Sequence, residues 1–533
     1  MSAIRRFWAA RMSPIVADSG VTPPPAYGTL GDTGAVCDVA TISGPVYYID
    51  PDGGSDAANG LSAATPWRTM ANVYPKIING GTLVADTAFL VKRGTTAPLL
   101  GCWWIIPRVK CTIDSYGTGA RPVIQFADTH PTGRGSGVIG RTISGTAVDG
   151  FVVRNVEVLG PGSGAGLVDF GGVTPMGAMG IVVENVKITN CPGNGILLNM
   201  LGGDGALIRS NWIEDCCSVQ SNGGGLDGGN GTGVVVERNT FLNNGTGASS
   251  ITSHNSYLND TSGLIYRYNH AYMTRAAGSY GLVMHGTFDD VHITDNLFDG
   301  NGNGVSIGPA YSVVEVETNV YIERNIVRNS GTMPGHTQGS GIDSLGVQGI
   351  YIRNNLVYGN LNGGIQIAAL APNAVAGEIP AADVHIEYNT VVFGGTRSSP
   401  CVNLLGVSQW GGQSYVRGNL LVNESSSNSS PCLSVSDALP SVQFGSNSYS
   451  KAAFTTRVVT VGATYNQPLS YWQALASGEA GAISTAPAFA DEAGGDYRLT
   501  TAMRAPLAYA GALDFTGATR PASSNLGAYE ALA

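Results

Sequence analysis

Charge is scarce in this chain: 12% of its 533 residues are Asp, Glu, Lys or Arg, and the acids exceed the bases by 10 at pH 7. With a pI near 5.2, the composition argues against a nucleic-acid partner. It also disfavours a strongly anionic ligand unless arginines gather locally. Long apolar runs are missing, so no segment is expected to span a bilayer. Met1 to Pro14 is basic, but Arg11 interrupts it and no apolar stretch follows, so no export signal is recognisable. Eight cysteines in a chain this long do not make a disulfide framework. Cys401 and Cys432 precede equivalent residues, Cys191 and Cys217 are placed to stack, and free thiols are expected.

What the chain does have is a period. Asn155, Asn185, Asn211, Asn239, Asn269, Asn296, Asn325, Asn355, Asn389, Asn419 and Asn447 recur at intervals of 26 to 34 residues. Most follow the phrase apolar–x–apolar–x–x–Asn, as in Val291-His-Ile-Thr-Asp-Asn296 and Val320-Tyr-Ile-Glu-Arg-Asn325. Self-similarity at this period marks a solenoid, a propeller or an array. The alternation is that of a strand. A propeller blade needs a longer repeat and a leucine-rich repeat a different spacing. One coil of a parallel β-helix fits, with its asparagines stacked about 4.8 Å apart and their amides bonded along the stack. A second ladder is expected five residues on, at Asn190, Asn244, Asn301 and Asn360.

Four regions follow. Residues 1–44 form a lead-in with the stiff spacer Pro23-Pro24-Pro25. Ile4, Phe7, Trp8, Met12 and Ile15 share a helical face there, suiting either a frayed terminus or a docking plug. Residues 45–149 form an N-terminal cap and first coils, with strands at Val46–Ile49, Phe89–Lys92 and Cys111–Ile113 and a short helix at Trp67–Tyr74. Residues 150–449 form the body. Residues 450–533 lose the period and should close the far end, where an open strand edge needs covering.

Tyr47-Tyr-Ile-Asp-Pro-Asp-Gly-Gly-Ser-Asp-Ala-Ala-Asn-Gly60 with Thr65-Pro-Trp-Arg-Thr69 resembles the opening of right-handed parallel β-helix proteins of the pectate-lyase-like superfamily. Phe89-Leu-Val-Lys-Arg-Gly94 and Thr112 to Ile124 are similar to its first coils, and Asp496 to Thr500, Gly517 to Pro521 and Gly527 to Glu530 to its ending. The resemblance covers residues 47–530 and implies an all-β, right-handed single-stranded parallel β-helix of about 11–13 coils. It fixes no chemistry. The Asn-Thr-Asp, Gly-His-Gly and Arg-Ile-Lys signatures of polygalacturonases are absent, as is the Asp-Pro-His of alginate epimerases. Without an export signal, and with the docking-like segment, the phage tailspike branch is preferred; it implies a homotrimer.

Outward positions follow from strand parity. Two residues before each asparagine stand Arg209, Glu237, Arg267, Thr294, Glu323, Arg353, Glu387 and Arg417, a surface ion-pair ladder. Four before stand His292, Tyr321, Tyr351, His385 and Tyr415, a column suited to sugar stacking or to a subunit interface. After the Gly-rich turns come outward strands holding Asp227, His254, His285 and Asp343. His254, His285, Asp260, Asp289 and Asp290 are the candidate catalytic groups; Arg275, Tyr280 and Asp227 are the candidate substrate-binding ones. Carboxyl pairs among the aspartates suit a glycoside hydrolase. His254 or His285 as base, with Arg275 neutralising a uronate, suits a lyase. Turn aspartates that only bond their own backbone are the plainer alternative. Asp50, Asp52, Asp56 and Asn59 have a calcium-loop look, yet an Asx-rich turn is expected. No metal and no cofactor is assigned.

The expected function is that of a homotrimeric phage tailspike or receptor-binding protein that binds, and in one reading depolymerises, a bacterial surface polysaccharide. It would attach to a virion tail or capsid protein through its N-terminal segment. A secreted monomeric lyase or hydrolase, extracellular rather than on the virion, is one alternative. A non-catalytic virion fibre or decoration protein is the other.

Overall fold

The computed structural model describes Tyr27 and residues 31–530, apart from 74–75, 77–82, 100–108, 127–133, 139–147, 163–168, 174–177, 199–203, 219–222, 247–251, 310–313, 334–335, 337, 371–376, 395–396, 428, 438–441, 452–456, 476–478, 480 and 507–511. The candidate docking plug within the first 15 residues lies outside the described residues.

Three long sheets of 14, 13 and 13 strands take successive strands in turn. The first runs from Val46–Ile49 to Val442–Gly445 and the second from Thr96–Leu99 to Ser448–Lys451. The third runs from Arg134–Val138 to Val459–Val461, with Thr464–Gln467 added at its end. Every coil-to-coil pairing is parallel, as in Val291↔Val320 and Tyr321↔Tyr351. Burial alternates along Val291–Thr294, placing Val291 and Ile293 in the core and His292 and Thr294 outside. One corner column requires glycine. A Cβ on Gly304 would lie 2.2 Å from the Gly341 carbonyl oxygen and 2.3 Å from a Val327 methyl.

The ladder is internal and begins later than the spacing implies. Asn211, Asn239, Asn269, Asn296, Asn325, Asn355, Asn389, Asn419 and Asn447 are fully buried or nearly so. Each Nδ2 from Asn211 to Asn419 donates to the next asparagine's Oδ1 at 2.9–3.1 Å. The backbone N–H of the same residue donates to that oxygen as well, for example Asn296 N to Asn325 Oδ1 at 3.0 Å. Each Nδ2 also reaches a carbonyl of the preceding coil, as Asn325 Nδ2 does to Ile293 at 2.7 Å. Asn155 and Asn185 are one residue out of register. Glu184 aligns with Arg209, so Val186 rather than Asn185 matches Asn211. Both asparagines adopt φ near +55°, the left-handed turn conformation that Asn tolerates; they are buried and form a separate rung, Asn185 Nδ2 donating to Asn155 Oδ1 at 2.7 Å.

The second ladder differs in the same way. Asn190 aligns with Asp215 and Asn243, because Thr189 pairs with Glu214 and Glu214 with Leu242. It is an exposed turn residue with φ 58°, and Cys191 takes the buried position. Asn244 bonds Asn255, and Asn255 bonds Asn301, at 3.0 and 2.8 Å; Asn360 accepts Ser330 N at 2.9 Å. The stacked thiols are Cys191 with Cys216, not Cys217, and Cys401 with Cys432 as the spacing predicts. All described cysteines are free. In place of a helix at Trp67–Tyr74 there is a 3-10 turn at Met70–Asn72, capped by Thr69; Tyr74 is outside the described residues.

Both ends are covered. At the start, the free edge of Val46–Ile49 is bonded by the Gly60–Trp67 segment, Tyr48 N to the Gly60 carbonyl at 2.7 Å and Trp67 N to the Tyr48 carbonyl at 2.9 Å, while Cys37 packs on Ala88 and Leu90 on the outer face of the first sheet. At the far end, helix Leu469–Leu475 plants Trp472 against Phe444, with centroids 4.7 Å apart. The chain then returns along the outer face of the second sheet. There Tyr497, Leu499, Met503, Phe515 and Leu526 bury Ile326, Leu356, Tyr358 and Leu420, with Tyr27 at the margin.

Candidate functional site

The three outer faces differ in how completely the chain satisfies them. On the second, apolar side chains are covered by the returning C-terminal segment. On the first, the expected ion-pair ladder forms. Arg209 meets Glu184 and Glu237, Arg267 meets Glu237, and Arg353 and Arg417 both meet Glu387. Glu387 is fully buried between its arginines, which, against the opposing effect of burial, keep its pKa low.

The aromatic column forms beside that ladder. Ring centroids of His292, Tyr321, Tyr351, His385 and Tyr415 follow one another at 4.7, 4.8, 4.7 and 5.0 Å. The first two pairs are within 8° of parallel. Arg353 and Arg417 lie 4.5 and 4.1 Å from the Tyr351 and Tyr415 centroids. The ring faces are therefore spent on one another and on cations, and solvent meets ring edges. A sugar stacks on a ring face, so of the two roles expected for this column the geometry does not suit sugar stacking.

The third sheet is different. Its outward register aligns Asp227, Tyr257, Val283, Ser306, Asp343, Gln366, Asn403, Ser434 and Thr460 on successive coils. His254 aligns with Tyr280, since Ser256 pairs with Leu282, and His285 pairs with Asn259. His254 and His285 are thus not direct neighbours; Tyr257 stands between them, 5.7 Å from each ring. Tyr280 is 5.8 Å from His254, and its backbone N donates to His254 Nδ1 at 3.1 Å. His285 Nδ1 bonds the Gly308 carbonyl at 2.8 Å. Burial lowers both imidazoles, His254 to about 3, so both are neutral near pH 7.

Carboxyls stand along the same column, Asp227 one coil before Tyr257 and Asp343 three coils after it. Asp227 accepts from Asn194 Nδ2 at 2.7 Å, and burial raises its pKa to about 6. Asp343, raised to about 7 by burial against a hydrogen bond from the Ser340 side chain, is 7% exposed and keeps Oδ1 buried without a partner. Besides burial, the charges of Asp227, Glu315 and Asp260 raise the Tyr257 phenol.

The connection leading into strand Thr318–Glu323 has inverted polarity. Val314 and Val316 are 48% and 38% exposed, whereas Glu315 and Glu317 are 9% and 3%. Glu317 pairs with the buried Phe288 of the preceding coil. Burial, with Glu315 and Glu378 nearby, pushes it to about 8, and its Oε1 has no hydrogen-bond partner. Such a local reversal, acids in and valines out, is what functional sites impose on otherwise consistent sequences.

The remaining candidates sit at the edge of this face. Asp260 accepts from Thr287 N at 2.9 Å. Asp289 accepts from Thr318 Oγ1 and Asn319 Nδ2 at 2.6 and 2.7 Å, which hold its pKa down. Asp290 bonds His292 at 3.0 Å. Each aspartate has its own hydrogen-bond partner in the turn toward the first sheet. Arg275 turns toward the second sheet, donating to Asp215 at 2.8 Å. In the cap, Asp50 accepts from Asp52 N and Gly53 N, both at 3.1 Å, and ion-pairs with Lys92. Sequence reasoning missed Tyr257, Ser306, Glu315, Glu317 and Glu378. The legible signal was the Val-Glu-Val-Glu alternation at 314–317, opposite in polarity to the strands around it.

Residues 137–319 match the family model described as a right handed beta helix region, and the solenoid is a right-handed parallel β-helix. Among solved structures, the A-module of a mannuronan C-5 epimerase of Azotobacter vinelandii is 15% identical, over 70% of this chain and 87% of that one, with a TM-score of 0.40. XylC in complex with xylose is 10% identical over 91% and 98%, with a TM-score of 0.45. The Dettilon tailspike protein is 14% identical over 68% and 60%, with a TM-score of 0.40. No curated protein matches the chain. No described helix is long and apolar enough to cross a membrane.

Proposed function

We propose that the protein binds a bacterial surface polysaccharide along the outer face of its third sheet, in the role of a phage tailspike or receptor-binding protein. The observation that carries this reading is Asp343, a carboxyl in an outward register position, nearly buried, with an oxygen that no described group satisfies. Unpaired buried polar groups are costly and are kept where a ligand completes them. The column of Asp343 supplies a hydroxyl, amide or carboxyl group on each coil except that of Val283, about every 4.8 Å, a spacing suited to a repetitive polymer of sugar rings. His254, Tyr257, Tyr280, His285 and Asp227 form the part of this third face richest in rings; Asp260 borders it. Asp289 and Asp290 contact the polymer only if it extends over the corner toward the first sheet.

In this reading three copies associate, and the N-terminal segment attaches the assembly to a virion. Light scattering of the full chain tests the first point, with a mass of three chains expected. Retention of whole bacteria or of purified capsule and lipopolysaccharide tests the assignment of binding to the third face: Tyr257→Phe and Asp343→Asn should weaken retention, while Tyr351→Phe on the first sheet should leave it unchanged. Equal retention by all of them would remove the third face from consideration.

A further inference from the structure

The third face has a charge asymmetry that bears on which sugars it takes. Between Gly223 and Gln413, the third-sheet strands and their connections to the first sheet contain not one Lys or Arg. The same stretches hold Asp227, Asp260, Asp289, Asp290, Glu315, Glu317, Asp343 and Glu378. The opposite connections, arriving from the second sheet, bring Arg275 and Arg397. Arg275 is tied to Asp215. The chain's other cations in this span, Arg238, Arg267, Arg324, Arg328 and Arg353, stand on the first two sheets or in the turn between them.

Resting on the polysaccharide reading above, we infer that the glycan is built from uncharged or amine-bearing sugars and carries no uronate, sialate or phosphate at this face. An anionic sugar brought against Asp227, Glu315 and Asp343 loses water and finds no counter-cation. Hydroxyl groups meet carboxyl and amide oxygens that accept and, when a carboxyl is protonated, donate. A free amine gains a direct ion pair. One observation beyond the cluster of acids points to an occupant: an oxygen of Asp343, in the outward column and nine-tenths buried, has no hydrogen-bond partner. The same charge pattern removes β-elimination from the chemistry open to this face, because that reaction needs a carboxylate beside the carbon that gives up its proton.

The full chain should be passed over immobilised bacterial polysaccharides of known composition, some neutral, some amine-bearing and some containing uronate, at low and high salt. Uronate-free polymers are expected to retain it at least tenfold more tightly. High salt should weaken the amine-bearing contacts and ease the exclusion of uronates, as screening requires. Glu315→Gln and Asp343→Asn should narrow the gap between the classes without changing the circular-dichroism spectrum. Tight binding to a uronate polymer would overturn this inference and leave the polysaccharide reading intact. Failure to bind any polymer of the three classes would overturn both.

Discussion

Asn447 closes the internal amide ladder by donating from Nδ2 to Oε1 of Glu479 at 3.0 Å. The other carboxyl oxygen accepts from Trp472 Nε1 at 3.4 Å. The amide-to-amide bonds from Asn211 onward are all donated in one direction along the solenoid, so the last rung needs an acceptor that passes nothing on. A glutamate meets that need, and burial raises its pKa to about 7.

Removing one rung should be costly. Asn296→Ala and Asn325→Ala each leave buried acceptors and an N–H without partners, a loss of about 1–3 kcal/mol. Asn190→Gly should be near neutral, because that residue is an exposed turn with φ 58° that glycine adopts freely. Chemical denaturation of the three variants checks this; equal midpoints would mean the ladder contributes nothing to stability.

Stability should fall as pH rises from about 5 to about 8. Asp343, Glu479 and Glu317 have pKa values raised to about 7, 7 and 8, above those of the unfolded chain. The folded state then holds protons that the unfolded state has released, so the stabilisation is complete below the unfolded pKa and is lost as pH climbs through the folded one. Melting temperature against pH gives the slope. Glu479→Gln, which keeps the acceptor without the charge, should flatten it and raise the midpoint at pH 8.

The buried ion pairs of the first face should behave in the opposite sense. Glu387→Ala leaves Arg353 and Arg417 facing each other without their shared carboxylate, a loss of about 3–5 kcal/mol. Because Glu387's pKa is lowered, its contribution is present above the unfolded carboxylate pKa and disappears as pH falls through the folded one. A melting series from pH 7 to pH 3 on wild type and variant should show the difference between them shrinking.

Asp343→Asn should separate function from folding. An amide in place of a buried, half-satisfied carboxyl removes a desolvation penalty, so the melting temperature at pH 8 should hold or rise while polysaccharide retention drops. Functional sites commonly trade stability in this way. A variant that loses stability and keeps retention would make Asp343 a structural residue.

The architecture was legible because the phrase before each asparagine repeats an inward and outward order that only stacked strands satisfy. His292, Tyr321, Tyr351, His385 and Tyr415 fall in one column as their shared offset predicts. Offsets fail where a turn gains or loses a residue: Asn155, Asn185 and Asn190 look like members of their ladders in spacing and stand one position outside them. The site was harder. The connections reaching the third sheet vary in length, so the alignment of Asp227 with Tyr257 and of His254 with Tyr280 comes from pairing. Burial, which separates Asp343 from an ordinary turn aspartate, has no local sequence signal; the inverted polarity at 314–317 was visible and unread.

Repeats that touch only their neighbours fray from their ends, one at a time. The segment that returns over the second sheet changes this. Arg520 bonds Asn354 at 2.9 Å and lies over Tyr388, Gly527 bonds Gly418 at 2.8 Å, and Tyr497 packs on Tyr358 with centroids 4.7 Å apart. One strap therefore holds coils that never meet directly, and the last of them cannot peel away until it is stripped. Under a pulling force along the axis, those coils should yield together, as a single step, where the coils before them give way in series.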